Sequence, residues 1–368
     1  MGGLAGHMMH PHDNKNLTIC QFKEMVKDSI EGRKVFKEKL DGFNIHIGKV
    51  NGHLFFARNG KDLQQGGFYL SEMDERFSSE EVRNIYKEAW KLIDDDQELL
   101  NGMVDEIDTG VDEIVTYNCE IIFGQTNVLD YPGVKQIIIH NAFIWKMDDD
   151  CKYSVQEVTE EPLKDLPQRY LQGNLSYESD YFSYYSAAKI LEDIDECTGS
   201  YGMNEDNTLN QYYEVRFLRG MMEMYPELLK TPEIIHPLYE RIMNRNIIVK
   251  FNVLRNMTEV DLDEVLSKEN TQKIYDFVRA DLERIVLKVG TGILSKVRGY
   301  LNEPHKYEVF RDLALRMNVE FSERLGAKWN ACGRQIYALE GVVFKHEGEL
   351  YKWTGPFAPI NQILGGRR

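Results

Sequence analysis

Lys39 sits in the stretch Glu38-Lys39-Leu40-Asp41-Gly42-Phe43-Asn44, a polar interruption in a strand-like run. A lysine amine attacks phosphorus only when neutral. Its reference pKa is about 10.4, so such a nucleophile needs cations or a bound metal beside it. Lys345, in Glu-Gly-Val-Val-Phe-Lys (340–345), and Lys352, in Leu-Tyr-Lys-Trp-Thr-Gly (350–355), are cations that could serve this purpose. They could also neutralise charge on a transferring phosphate. Glu340 is the type of carboxylate that Mg²⁺ takes together with substrate phosphates. Glu120, in Asn-Cys-Glu-Ile-Ile-Phe-Gly, can accept hydrogen bonds from ribose hydroxyls, and Phe143, in His-Asn-Ala-Phe-Ile-Trp, can stack on a purine. Arg58 follows a hairpin signal, and Asn44 stands five residues after Lys39. Asp41 reads either as a group that orients Lys39 or engages the metal, or as a turn residue beside Gly42.

These groups need elements to position them. Residues 36–58 and 111–146 alternate and are rich in β-branched and aromatic residues, with Asn51-Gly52 as a hairpin turn. Helices are predicted near 20–34 and 79–103, the second starting at Ser79. From about 176 to 330 the texture is helical. Ile274, Phe277, Val278, Leu282, Ile285, Val286 and Val289 recur at helical spacing, and Thr258–Asp261 reads as a capping box. Val289–Lys296 (VGTGILSK) has a superficial phosphate-loop look. It lacks a preceding strand and the Gly-Lys-Ser/Thr ending, so it reads as a helix junction. Strand texture returns after Cys332. Residues 331–368 are too few to fold alone. The predicted organisation is therefore α+β: an antiparallel-sheet domain in two parts, 9–150 and 331–368, interrupted by a helical insertion at 151–330.

Composition narrows the class. The chain has 368 residues and is 42% hydrophobic, with no apolar window long enough for a membrane span and no secretory signal pattern. Its five cysteines are scattered and form no CxxC pair, which argues against a disulfide framework or structural zinc and for a cytoplasmic setting. The net charge of −16 counts against broad, non-specific nucleic-acid binding while leaving room for a local basic groove. His7, His10 and His12 read as part of a disordered tail rather than as metal ligands, and Asp148, Asp149 and Asp150 as a solvated junction.

In their order along the chain, EKLDGFN, the Arg58 stretch, NCEIIFG, HNAFIW, EGVVFK and LYKWTG resemble the motifs of the covalent nucleotidyltransferases, which comprise ATP-dependent DNA and RNA ligases and mRNA capping enzymes. Glu-Lys followed by Gly-x-Asn is most similar to the type 2 RNA ligase branch. The resemblance covers about residues 36–146 and 336–355. It implies a nucleotidyltransferase core and a lysyl-AMP formed on Lys39 from ATP with Mg²⁺, or Mn²⁺ in its place. It also implies Asp41, Lys345 and Lys352 as catalytic groups, Glu340 as metal ligand, and Glu38, Gly42, Asn44, Arg58, Glu120 and Phe143 around the nucleotide. The expected acceptor is a nucleic acid with a 5′-phosphate, sealed to a 3′-hydroxyl. Transfer of AMP or GMP to a protein, a small molecule or an RNA 5′ end is the alternative, and a binding protein with a degenerate site is a second. Two features depart from the pattern. The last motif has one lysine where the ligases usually show two, and thirteen residues after Gly355 leave no room for a C-terminal OB domain. The insertion is then expected to deliver the acceptor and to be dispensable for the first chemical step.

Overall fold

The computed structural model describes residues 8–105, 113–126, 129–147, 153–158, 161–175, 186–244, 259–302, 328–331, 334–337 and 339–355. His7, Asp148–Asp150, Cys151, Thr258 and Cys332 lie outside them. The described chain is mixed α+β with two antiparallel sheets. The strands are β1 Phe36–Lys39, β2 Phe43–Val50, β3 His53–Ala57, β4 Glu113–Gln125, β5 Asp130–Met147, β6 Tyr153–Val158, β7 Asn174–Leu175, β8 Lys328–Ala331, β9 Arg334–Tyr337, β10 Gly341–His346 and β11 Glu349–Thr354. One sheet has the order β11-β10-β1-β7. The other runs β3-β2-β4-β5-β8-β9, with β6 also on β5. The Asn51-Gly52 signal holds: both residues have positive φ, 53° and 75°, and β2 and β3 pair across them.

Ten described α-helices complete the fold, beside short 3-10 turns: α1 Ile19–Ile30, α2 Gly60–Gln64, α3 Met73–Arg76, α4 Glu80–Asp94, α5 Gln97–Gly102, α6 Ala187–Gly199, α7 Leu209–Met224, α8 Pro232–Asn244, α9 Leu262–Val265 and α10 Lys268–Asn302. α1 starts where Thr18 and Gln21 satisfy each other's backbone N–H groups. α4 is capped by Ser79 as predicted and buries Tyr86, Ala89, Trp90 and Ile93, one stripe at helical spacing. The cap of α9 is Asp261, whose carboxylate accepts from the N–H groups of Asp263 and Glu264. Val289–Lys296 is the interior of α10, not a junction between helices.

Two large cores follow from the alternation in the strands. Ile45, Ile47, Tyr117, Cys119, Ile121, Ile137, Ile139 and Ala142 turn one face of the larger sheet onto α4. The smaller sheet turns Phe36, Val342, Phe344, Tyr351 and Trp353 into a core shared with α1, α6, α7, α8 and α10. Ile122, Tyr131 and Ile138 of the larger sheet enter that same core. Trp353 is fully buried, stacks on Phe344 (5.5 Å between centroids) and donates to Ser29 Oγ at 2.9 Å. The helical stretch therefore covers the sheet that carries Lys39. Strands β6 and β7 and most of β8 also fall within 151–330, and the first α-helix described in that span is Ala187–Gly199.

The N-terminal segment is ordered from Met9, which corrects the reading of a disordered tail. Met9 bridges Tyr351 in parallel, and its carbonyl accepts from Lys352 N at 3.0 Å. His12 is 3% exposed, and its carbonyl accepts from the Tyr213 hydroxyl at 2.7 Å. The edge strand β11 offers unpaired backbone groups, and the segment satisfies one of them, Lys352 N. No described helix is long and apolar enough to cross a membrane.

Candidate active site

Register assembles the first part of the site. Lys39 stands opposite Gly341, which stands opposite Thr354; Lys37 stands opposite Val343, which stands opposite Lys352. Directly opposed residues share a face. Lys37, Lys39, Lys352 and Thr354 therefore line the face away from the apolar core, all half-buried. Lys39 Nζ lies 2.5 Å from Glu340 Oε2, and that buried oxygen has no other described partner. Burial raises the Glu340 carboxyl above its ordinary range. Asp41 and Glu120 add to this, and Lys39 opposes it. Lys352 is held below its ordinary range by burial and then by Lys39.

The larger sheet supplies the second part. Asn44 pairs with Glu120 across β2 and β4, and Glu120 Oε1 accepts from Gly42 N at 2.9 Å. Gly42 is required by space: a Cβ there would lie 2.5 Å from Ile121 O and 2.7 Å from Glu120 Cγ. Asn44 Nδ2 donates to Asn118 Oδ1 at 2.7 Å, and Asn118 Nδ2 to Asn141 Oδ1 at 3.0 Å. Arg58 is held to Asp62 at 3.1 Å and lies over the Phe77 ring at 4.9 Å. Phe77 stacks on Tyr86, whose hydroxyl donates to Asn44 O at 3.4 Å. Arg58 thus connects to the Asn44 end of the site through two rings.

Other expected residues stand elsewhere. Asp41 is buried: its Oδ2 accepts from the Thr126 hydroxyl and from Leu129 N at 2.8 Å, and its N–H donates to Tyr131 Oη at 3.2 Å. It ties the turn after β1 to the β4–β5 connection. Glu38 is 2% exposed, opposite buried Val342, and burial and then Glu340 push its carboxyl well up. Phe143 is 4% exposed and packs with Phe55, Trp145 and His46, so its ring offers no open face for stacking. Lys345 is exposed opposite Leu350, four residues along β10 from Gly341, or roughly 13 Å at strand spacing.

Several site residues escape a sequence reading. His140 falls where the β4–β5 register shifts; its Nε2 is 3.6 Å from Glu120 Oε2 and its Nδ1 is 2.7 Å from Gln172 Oε1. Gln172 Nε2 also donates to the Glu38 carbonyl, and Lys37 Nζ donates to His140 O at 3.3 Å, so both side chains bridge the two sheets. His140 lies in the stretch that singles out Phe143, but alternation cannot reveal a bulge. Nothing around Gln172 marks it.

Among the described residues no group of three or more His, Cys, Asp and Glu side chains could hold a metal ion. Mg²⁺ needs less, because it keeps several waters and binds through one or two carboxylates plus substrate phosphates. Glu340 fits as one such ligand, since its buried Oε2 has no described hydrogen-bond partner besides the Lys39 ion pair. No family model, no curated protein and no solved structure matches the chain.

Proposed function

We propose that the protein is a covalent nucleotidyltransferase of the polynucleotide-ligase type, built on a nucleotidyltransferase core and forming lysyl-AMP on Lys39. One observation carries the reading. Lys39 and Lys352, far apart in sequence, share one sheet face through the β1-β10-β11 register, and Glu340, the residue directly before β10, reaches Lys39 with its Oε2 2.5 Å from Nζ. Lys39 Nζ attacks the α-phosphorus of ATP. A P–N bond forms, the bond to the α–β bridging oxygen breaks, and pyrophosphate leaves with that electron pair. The Lys39 ammonium gives up one proton before attack, and the nitrogen gives up a second to solvent as the P–N bond forms, which leaves one N–H on the phosphoramidate. Lys352 faces the charge that develops on the phosphoryl oxygens. Glu120 and Asn44 hold the ribose end, and Arg58 stands beyond them. Mg²⁺ bound through Glu340 supplies charge neutralisation on the phosphates. AMP then passes to a 5′-phosphate, and a 3′-hydroxyl displaces it.

The test is incubation with labelled ATP and Mg²⁺, followed by a chase with nicked duplexes and single strands bearing 5′-phosphates. One AMP per chain is expected, located on Lys39 by mass spectrometry and absent from Lys39→Ala. AMP on a different lysine sinks the assignment. GTP labelling as strong as ATP labelling overturns the preference for adenine. A second reading, transfer to a protein or small molecule, is favoured by the helices. Lys189, Arg219, Lys230, Lys273 and Lys288 each pair with a carboxylate there, which leaves these cations neutralised for a polyanion. Discharge of AMP by small-molecule or protein acceptors but not by nucleic acid decides for it.

A further inference from the structure

Strand β11 lies at the edge of its sheet, paired along its length with β10 and met on its other side by Met9. It must nevertheless hold Lys352 near Lys39, two cations that repel each other in a half-buried place. Three contacts from α10 act on this strand and its neighbour. Gly290 lies against the strand backbone: a Cβ there would be 2.3 Å from Thr354 O. Arg298 Nη2 donates at 3.0 Å to Leu339 O, the carbonyl directly before Glu340. Arg279 pairs with Asp13, whose Oδ2 accepts from His10 N at 2.9 Å. The preceding residue, Met9, accepts from Lys352 N. Along a helix axis these points are spaced by roughly 16 and 12 Å, so one rigid rod touches the N-terminal segment, the end of β11 and the start of β10.

We infer that α10 is a positioning element for the nucleotidyl-transfer site, with Arg298 and Gly290 as the residues that set Glu340 and Lys352 around Lys39. This rests on the lysyl-AMP reading above. Arg298 fixes the carbonyl at which the chain turns into β10, and so fixes where the Glu340 carboxylate reaches. Gly290 sets how closely the rod approaches Thr354, two residues from Lys352. The Arg279–Asp13 pair holds the segment that closes the other edge of β11. The helical stretch thereby becomes part of the machinery for the first chemical step.

The test uses the full chain with Arg298→Gln, Arg298→Lys and Gly290→Ala. Three quantities are read: the single-turnover rate of AMP attachment against ATP concentration, the melting temperature, and amide hydrogen exchange over residues 339–355. Arg298→Gln should lower the maximal rate by tenfold or more, with half-saturating ATP within about twofold of wild type. It should also speed exchange in β10 and β11. Arg298→Lys, which keeps a donor for Leu339 O, should recover much of the rate, and Gly290→Ala should act in the same direction as Arg298→Gln. Wild-type labelling with Arg298→Gln equally fast per folded molecule overturns the inference alone. So does unchanged exchange over 339–355, whatever the labelling. Failure of the wild-type chain to label overturns the function reading and this inference with it. If Gly290→Ala does not fold, the Arg298 pair still decides.

Discussion

At the scale of single residues, the site separates groups that face the cleft from groups that hold the frame. Glu340 and Lys352 belong to the first kind. Glu340→Ala and Lys352→Ala should each slow AMP attachment by a hundredfold or more, on the order of 3 kcal/mol of transition-state stabilisation, measured by single-turnover labelling. Asp41 belongs to the second kind, because its carboxylate accepts from Thr126 and Leu129. Asp41→Ala should cost about 1–3 kcal/mol of folding stability by leaving those donors unpaired. Denaturant unfolding checks this, and a large loss of labelling with unchanged stability would instead make Asp41 a group of the chemistry. Glu38 shows the cost of neighbouring positions in a strand: Lys39 faces the cleft, so Glu38 must face the core, where burial and then Glu340 push its carboxyl well above its ordinary range.

At the scale of elements, the question is whether the helices can be removed. A separable insertion would leave the sheet domain with its own core. Instead Phe36, Val342, Phe344, Tyr351 and Trp353 pack with Tyr212, Phe217, Ile285, Val286 and Val289 in one cluster. A chain lacking residues 187–302, bridged by a flexible linker, should therefore expose that apolar face and aggregate, as size-exclusion chromatography would read. A folded, monomeric product that still labels itself would restore the separable insertion. Gly42 makes the same point within a sheet. Gly42→Ala should push β2 from β4 and move Glu120, which lowers the melting temperature and the labelling rate together.

At the scale of the whole molecule, three histidines, His12 and His46 buried and His10 half-buried, couple the fold to acid. Burial holds His12 and His46 down to about 3 and His10 to about 4. His10 is lowered further by Lys352 and His46 by His140. An unfolded histidine titrates near 6.5, so below that pH the unfolded chain binds more protons than the folded one. Stability is then full above about pH 6.5 and is lost as pH falls toward the folded values. Three such protons set an upper slope of about 4 kcal/mol per pH unit. Melting temperatures should fall steeply from pH 6.5 to 5, and His12→Gln should flatten that limb. A melting temperature independent of pH in this range would show that the three rings take protons while folded. Glu38 acts with the opposite sign: its raised value gives stability that is present at low pH and lost as pH rises through it.

The local parts of the fold were legible in the amino-acid order. The Asn51-Gly52 hairpin, the Ser79 cap, the helical stripe from Ile274 to Val289 and the α+β class all follow from short-range chemistry, which acts within a few residues. Motif order alone singled out Lys39, Glu340 and Lys352, because a phosphate-directed lysine needs those partner types. Tertiary structure decided the rest, because contacts between distant segments leave no periodic trace. Alternation could not say that Phe143 would be closed off by Phe55 and Trp145, or that Lys345 would stand well along β10 from Lys39. The bulge that carries His140 and the reach of Gln172 depend on how two sheets meet. The role of Gly290 exists only because a long helix crosses the end of a strand, where any side chain would collide with the Thr354 backbone.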